Sequence, residues 1–393
     1  MSEIRVDSIG NESNTGGPVL SGITTFSGQK YFIPPKGTTA ERPSDCPPGS
    51  IRFNTDSAHL EYWNGLVWLE FEASTGNFGG GNPNADGVST RGTGTRGVFM
   101  GGLSPGETNR IDYITIPTLG NAQDFGNLTQ AKRLGGACAS ATRGLTLGGF
   151  VSPSIKSEID FITFASTGDA TDFGDITSVK RNNGGCANSV RGLSLGGVTP
   201  TNTNVIDAVF MAATGTAQDF GDLVANTGQP YATASPVRGV IAGGETPARI
   251  NTIQYVTIST QANAQDFGDL TSGRSGVLGF GNATRGLFAG GELPAAPTFI
   301  NNIDFVTMAS TGNSQDFGDL DNANGLRLGG SASSPTRGIY ASGVNDTPSP
   351  STVYAQIHAV TIQTTGNAID FGDVTAARWQ MFNGTVSNGH GGL

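Results

Sequence analysis

From about residue 77 onward the chain repeats itself, and the spacing of that repeat limits the architecture more than any other feature. The arginines of a Thr-Arg-Gly-like element fall at Arg96, Arg143, Arg191, Arg238, Arg285 and Arg337, at intervals of 47, 48, 47, 47 and 52 residues. An Asp-Phe-Gly element keeps the same beat at Asp124, Asp172, Asp219, Asp266, Asp316 and Asp370. A period of this size belongs to propeller blades or helical solenoids. The units hold short apolar runs and no sustained 3.6-residue periodicity, which excludes helical repeats. Sixty glycines in 393 residues would destabilise helices but suit tight turns and closely packed strands. The chain is therefore expected to be all-β.

Each unit reads as three extended segments: one through Gly-Gly-x-Cys/Ser-Ala, one through Arg-Gly-Leu-x-x-Gly-Gly and one through Ile-Asp-x-x-Thr. A short fourth is expected at Asp-Phe-Gly-Asp-Leu. Three or four antiparallel strands per unit of about 48 residues match a propeller blade. The Asp-Phe-Gly phenylalanine precedes the next repeat arginine by 18 residues in five cases, whereas the distance from that arginine to the Ile-Asp position varies from 16 to 21. Rigid spacing marks paired strands and elastic spacing marks surface loops. One rim is therefore expected to be variable, at residues 103–109, 150–157, 198–204, 245–251, 292–302 and 344–355.

Half-units stand at both sides of the repeat. Residues 370–392 repeat the first half, and residues 66–76 (LVWLEFEASTG) resemble the missing second half. Paired, they make a seventh blade that clasps the ring. The other count is six, with 66–76 belonging to the N-terminal module. The domains are accordingly an N-terminal attachment segment over 1–48, a β-hairpin module over 49–76 that contributes the closing strand, and the propeller over 77–393. Within the module, prolines at 34–35 and 43–48 stiffen a connector, and residues 50–71 read as strands turning at Asn64-Gly65.

The repeated charges read as scaffold. Arg143, Arg191, Arg238, Arg285 and Arg337 are expected to pair with Asp124, Asp172, Asp219, Asp266 and Asp316 in bidentate contacts. A calcium role for loops such as Asp172–Asp175 falls short of six to eight oxygen ligands. Cys46, Cys138 and Cys186 match no disulfide or metal spacing, and the equivalent Cys138 and Cys186 read as small buried strand residues. No cofactor is expected. A net charge of −10 offers no basic footprint for nucleic acid or an anionic membrane, and no apolar run reaches 18 residues. The N-terminus has no basic or apolar leader pattern, so the chain is expected to be made in the cytoplasm without export.

Catalysis has little sequence support. His59, His358 and His390 lack a neighbouring acid and nucleophile, and Gly-x-Ser-x-Gly is absent. Glycan cleavage would need two carboxylates about 5 to 10 Å apart, and the rim acids are few: Glu107, Glu158, Glu245, Glu292 and Asp346.

Residues 49–56 (GSIRFNTD), 60–65 (LEYWNG) and Trp68 resemble a strand-turn-strand module of phage tail proteins, near their attachment parts. The repeats, as in 284–292 (TRGLFAGGE) and 301–320 (NNIDFVTMASTGNSQDFGDL), are similar to those of structural proteins of marine cyanobacterial tailed phages. Gly-Gly after an apolar strand is also similar to Kelch propellers, although the Tyr and Trp of each Kelch blade are missing. The resemblance implies a virion component, a tail- or capsid-attached fibre or adhesin assembled in the host cytoplasm. It would hold other virion proteins through its N-terminal module and present its rim to a host-surface glycan or protein. Leu293, Phe299 and Tyr354, on the longest loops, are the candidate contact residues. The alternative is a glycan-processing propeller enzyme of the virion.

Overall fold

The computed structural model describes residues 34–57, 59–70, 95–294, 299–321, 326–345, 351–382 and 386–393. The chain divides into two compact units, residues 1–80 and 81–393.

The described part of the first unit is a four-stranded sheet of Lys36–Gly37, Ile51–Asn54, His59–Trp63 and Trp68–Glu70. The Asn64 side chain accepts the N–H groups of Leu66 and Val67 at 2.8 Å each. That turn sends the chain straight back, so Trp68–Glu70 pairs antiparallel with His59–Trp63. This corrects the expectation that 66–76 supplies a strand to the C-terminal half-unit: a tight turn makes the local partner available first. Residues 71–76 lie outside the described residues.

In the second unit the described residues form six sheets of three or four antiparallel strands. The second is representative, with Gly136–Ala139, Arg143–Leu147, Glu158–Thr163 and Thr171–Asp175 paired in chain order. In each four-stranded sheet the first strand is four residues long and wholly buried, and it is built of small residues in GACA, GGCA and GSAS. Cys138 and Cys186 occupy two of these inner strands. The fourth strand carries the Asp-Phe-Gly element, with its phenylalanine buried and a bulge where the register shifts opposite the glycine. All four extended segments read from the repeat are present.

The first sheet has three strands, Arg96–Met100, Arg110–Thr115 and Gln123–Asn127. Its inner edge is met by the C-terminal half-unit: Gly97 bridges Ser387, the Val98 N–H donates to the Val386 carbonyl at 2.9 Å, and the Arg96 N–H donates to Asn388 Oδ1 at 2.7 Å.

Neighbouring sheets are joined by a recurrent backbone contact. Gly168 N–H donates to the Phe125 carbonyl, Gly215 to Phe173, Gly312 to Phe267, Gly366 to Phe317 and Gly120 to Phe371; Ala264 to Asp222 joins the remaining pair. The Gly120 bond runs from the sixth sheet back to the first. Here the Asp-Phe-Gly glycines have a structural reason. At Gly268, φ is +146° and an added β-carbon would stand less than 3.0 Å from the Gly312 backbone.

Candidate functional site

The repeat arginines and aspartates do not pair with each other. Arg143 stacks over Phe161 with its guanidinium 5.0 Å from the ring centroid, and donates to the Met211 carbonyl of the next sheet at 3.2 Å. Arg96, Arg191, Arg238, Arg285 and Arg337 likewise donate to carbonyls of a neighbouring sheet, the last to Ile116 and Pro117 of the first. Asp124, Asp172, Asp219, Asp266, Asp316 and Asp370 are exposed on the outer strand. In the second sheet Arg143 sits opposite Thr163, and Asp172 lies on the far side of that third strand. Two strand spacings, about 10 Å, separate the groups. The expected pairing therefore fails, while the arginines do tie sheet to sheet.

The buried charge partners are different residues. Lys132–Asp160 at 3.0 Å, Lys180–Asp207 at 2.6 Å, Arg274–Asp304 at 3.0 Å and Arg378–Asp112 at 3.0 Å are ion pairs with every side chain no more than 2% exposed. Burial pushes each of these cations below its ordinary range, and the facing aspartate pulls it back. A threonine completes each site: Thr129, Thr177, Thr271 or Thr375 donates to the carboxylate. In the fourth sheet the equivalent positions are Thr227 and Gln254, and in the sixth Leu326 and His358, all buried. Cation and anion are lost together. This signal was present in the internal copies and was missed.

Two residues beyond Lys132, Lys180, Thr227, Arg274, Leu326 and Arg378 the chain reaches a second recurrent group. Leu134, Asn182, Gln229, Gly276, Leu328 and Gln380 all have positive φ, between +52° and +71°. Successive members are joined through their backbones: Leu134 N–H to the Gln380 carbonyl, Asn182 to Leu134, Gln229 to Asn182 and Leu328 to Gly276. They form a collar at the start of the inner strands. The collar borders an open cavity of about 280 Å³ also lined by Arg133, Arg181, Arg327 and Trp379.

The variable rim roots on this collar. Bridges join Arg133 to Phe150, Arg181 to Val198, Gly228 to Glu245, Ser275 to Glu292, Arg327 to Val344 and Trp379 to Leu103. Each of the elastic segments read from sequence thus begins beside the mouth. Of the candidate contact residues, Phe299 is 8% exposed and lies under the Arg327 guanidinium at 5.3 Å, Tyr354 packs against the core, and Leu293 is half-buried with its carbonyl accepting Arg249. Phe299 and Tyr354 serve their own hairpins. Among the rim acids, Glu107 is bound to Arg133 and to the Ser152 N–H, Glu292 to Arg249 and Arg327, and Glu245 to Gln229. Asp346 lies outside the described residues.

The opposite ends of the inner strands are covered. His390 Nε2 lies 2.6 Å from the Ala139 carbonyl, and Gly391 and Gly392 approach Ala234 and Ala187. Burial lowers the His390 pKa to about 4 against the opposing pull of that carbonyl. Among the described residues no group of three or more His, Cys, Asp or Glu could hold a metal. Burial raises the Cys186 thiol to about 12, and Cys138 is raised by burial too, so neither is poised as a nucleophile. Compared with known proteins, the chain matches no family model and no curated sequence.

Proposed function

We propose that residues 95–393 form a six-bladed β-propeller that recognises a surface through the rim bearing the collar, and that the protein is a virion component attached through its first unit. The observation that carries the recognition reading is the convergence of the elastic segments on one mouth. Loops of different length and composition surround a single cavity, while the spacing behind them stays fixed by inter-sheet bonds. Function concentrates on loops held by a rigid frame. The blade count rests on the six sheets, the Gly120–Phe371 bond and the ties from Arg337 to Ile116 and Pro117, which lead from the last sheet to the first.

Attachment through the first unit is supported by its sheet. Pairing of Ile51 with Tyr62, Phe53 with Leu60 and Tyr62 with Leu69 gathers apolar side chains on one face. Ile51, Leu60 and Leu69 are 51%, 41% and 37% exposed, while Arg52, Asn54 and Glu61 on the other face are buried. An apolar face left open on so small a sheet marks an interaction surface. Recognition is preferred to glycan cleavage because Glu107, Glu245 and Glu292 are engaged by neighbouring side chains.

Mass spectrometry of gradient-purified particles tests the location: the protein is expected in the particles, and its presence only in the lysate of infected cells would refute the virion reading. Replacing the hairpin over 337–361 beyond Ala341 and Ile357 by the short turn of 198–202 is expected to leave thermal unfolding unchanged and to abolish adherence to the host surface. Retained adherence would remove the rim from recognition.

A further inference from the structure

The end of the inner strands away from the collar is closed by one short segment that reaches every sheet in turn. Residues 386–388 lie along the first sheet, bound by the Val98 and Arg96 N–H groups, and the Ser387 hydroxyl donates to the Ser333 carbonyl of the sixth at 2.5 Å. Residues 389–393 then cross the ends of the others. His390 Nε2 stands 2.6 Å from the Ala139 carbonyl of the second sheet. Gly392 packs on Ala187 of the third, and Gly391 on Ala234 of the fourth and Asn282 beside the fifth, so closely that neither has room for a β-carbon.

His390 is what fastens this stretch. Gly389, Gly391 and Gly392 bring no side chain and Leu393 is only half-buried, so little apolar area holds residues 389–393 in place. The imidazole makes two hydrogen bonds that fix its tautomer. Facing a carbonyl, Nε2 carries the ring proton, and Nδ1 accepts the Gly392 N–H at 3.1 Å. A second proton on Nδ1 would meet that N–H head on. It would also bury a cation where the surrounding strands offer no carboxylate: the titratable groups on the six inner-edge strands are Cys138, Cys186, Tyr231 and Arg96. The repeat arginines at this end are turned to carbonyls of neighbouring sheets, and the Leu393 carboxylate on the segment itself stays ionised above about pH 4.

The sheets are tied without this stretch. The Gly120–Phe371 bond, the contacts of Arg337 with Ile116 and Pro117 and the Arg378–Asp112 pair lead from the sixth sheet to the first, and residues 386–388 keep bonds of their own. We propose that residues 389–393 are an acid-released cap over the far ends of the inner strands, latched by His390, that comes away while the six sheets stay paired. In place, the cap holds the histidine neutral, its pKa about 4 instead of 6.5, so the released segment gains a proton across that window and release is favoured as pH falls. Between pH 7 and pH 5 the linkage amounts to a rise of about twentyfold in the open population.

Amide exchange on the full chain, followed by NMR and corrected for the intrinsic effect of pH on exchange, tests the proposal. The Gly392 amide is expected to show that rise of about twentyfold, and at both pH values to be protected at least about tenfold less than the amides of Arg143–Leu147 and Arg238–Ala242, which open only with the sheets. His390→Gln, whose amide can still donate to the Ala139 carbonyl, is expected to hold the rise below about twofold. If that variant does not fold, the ring-nitrogen shifts of His390 in the unaltered protein carry the test: a neutral imidazole with its proton on Nε2 is expected at pH 7, and a charged or Nδ1-protonated ring there would overturn the proposal. It is equally overturned if Gly392 shows no rise, if the glutamine variant keeps the rise, as it would were His358 its source, or if Gly392 is protected as strongly as the two strands, because the segment would then leave only when the sheets unfold.

Discussion

Lys180 and Asp207, both fully buried, illustrate why two sheets lack such a pair entirely. Removing one partner strands the other in a low-dielectric interior, whereas replacing both removes the problem. Lys180→Ala is expected to cost about 3–5 kcal/mol in urea-monitored unfolding, and Lys180→Thr combined with Asp207→Gln, the natural Thr227 and Gln254 combination, to recover most of it. Full loss in the double variant would contradict this account. The buried histidines set the pH response. His390 is held neutral, its pKa lowered from 6.5 to about 4, because burial disfavours the cation and Nδ1 accepts the Gly392 N–H. The unfolded chain then binds more protons between these values, so stability is complete above pH 6.5, falls as pH drops towards 4, and loses roughly 3 kcal/mol from this group. Burial lowers His358 as well, in the same direction. Unfolding free energies measured between pH 7 and 4 should follow that slope, and His390→Gln should flatten it.

At the scale of the element, the sheets hold one another through backbone carbonyls more than through opposite charges. Arg191 reaches the Ile258 and Ser259 carbonyls and stacks on Phe210, while Asp219 stands exposed. Arg191→Ala is therefore expected to cost about 1–3 kcal/mol, and Asp219→Ala less than about 0.5 kcal/mol. Equal costs in denaturation midpoints would restore the arginine–aspartate pair. The strands themselves were legible, because Arg-Gly-Leu and Ile-Asp runs alternate with glycine turns at fixed distance. The pairing of Arg143 was not, because spacing along the chain does not say how many strands separate two residues across a sheet. The Lys180–Asp207 pair was legible in principle, since Thr227 appears where Gln254 does and Leu326 where His358 does. The collar was hidden: Leu134, Leu328 and Gln380 carry no signature of positive φ, and only Gly276 and Asn182 hint at it.

Across the whole molecule, the half-repeat at 370–392 announced that something must complete it, and the partner was misassigned. Residues 66–76 matched the missing half in composition, but the Asn64-Gly65 turn commits Trp68–Glu70 to its neighbour, and Arg378 instead faces Asp112. Removing residues 374–393 is expected to leave Asp112 without its cation and the first sheet without its inner edge, lowering the thermal midpoint by roughly 10 °C or more. Removing residues 1–70 should leave the unfolding of the second unit within about 2 °C of the full chain. A mild effect of the first deletion in scanning calorimetry would argue against that closure.

The bond from Arg96 to Asn388 joins positions 292 residues apart. While the chain is being synthesised, five later sheets can assemble from contiguous sequence, but Arg96–Met100 must wait with a bare edge. Long-range closure of this kind is slow, and an unpaired strand is a template for mispairing with other chains. The first sheet is thus the place where nascent copies are most exposed to aggregation. A rearranged chain that begins at residue 374 and joins 393 to 95 through a short linker makes that contact local. It is expected to refold faster and with a higher soluble yield at the same final stability.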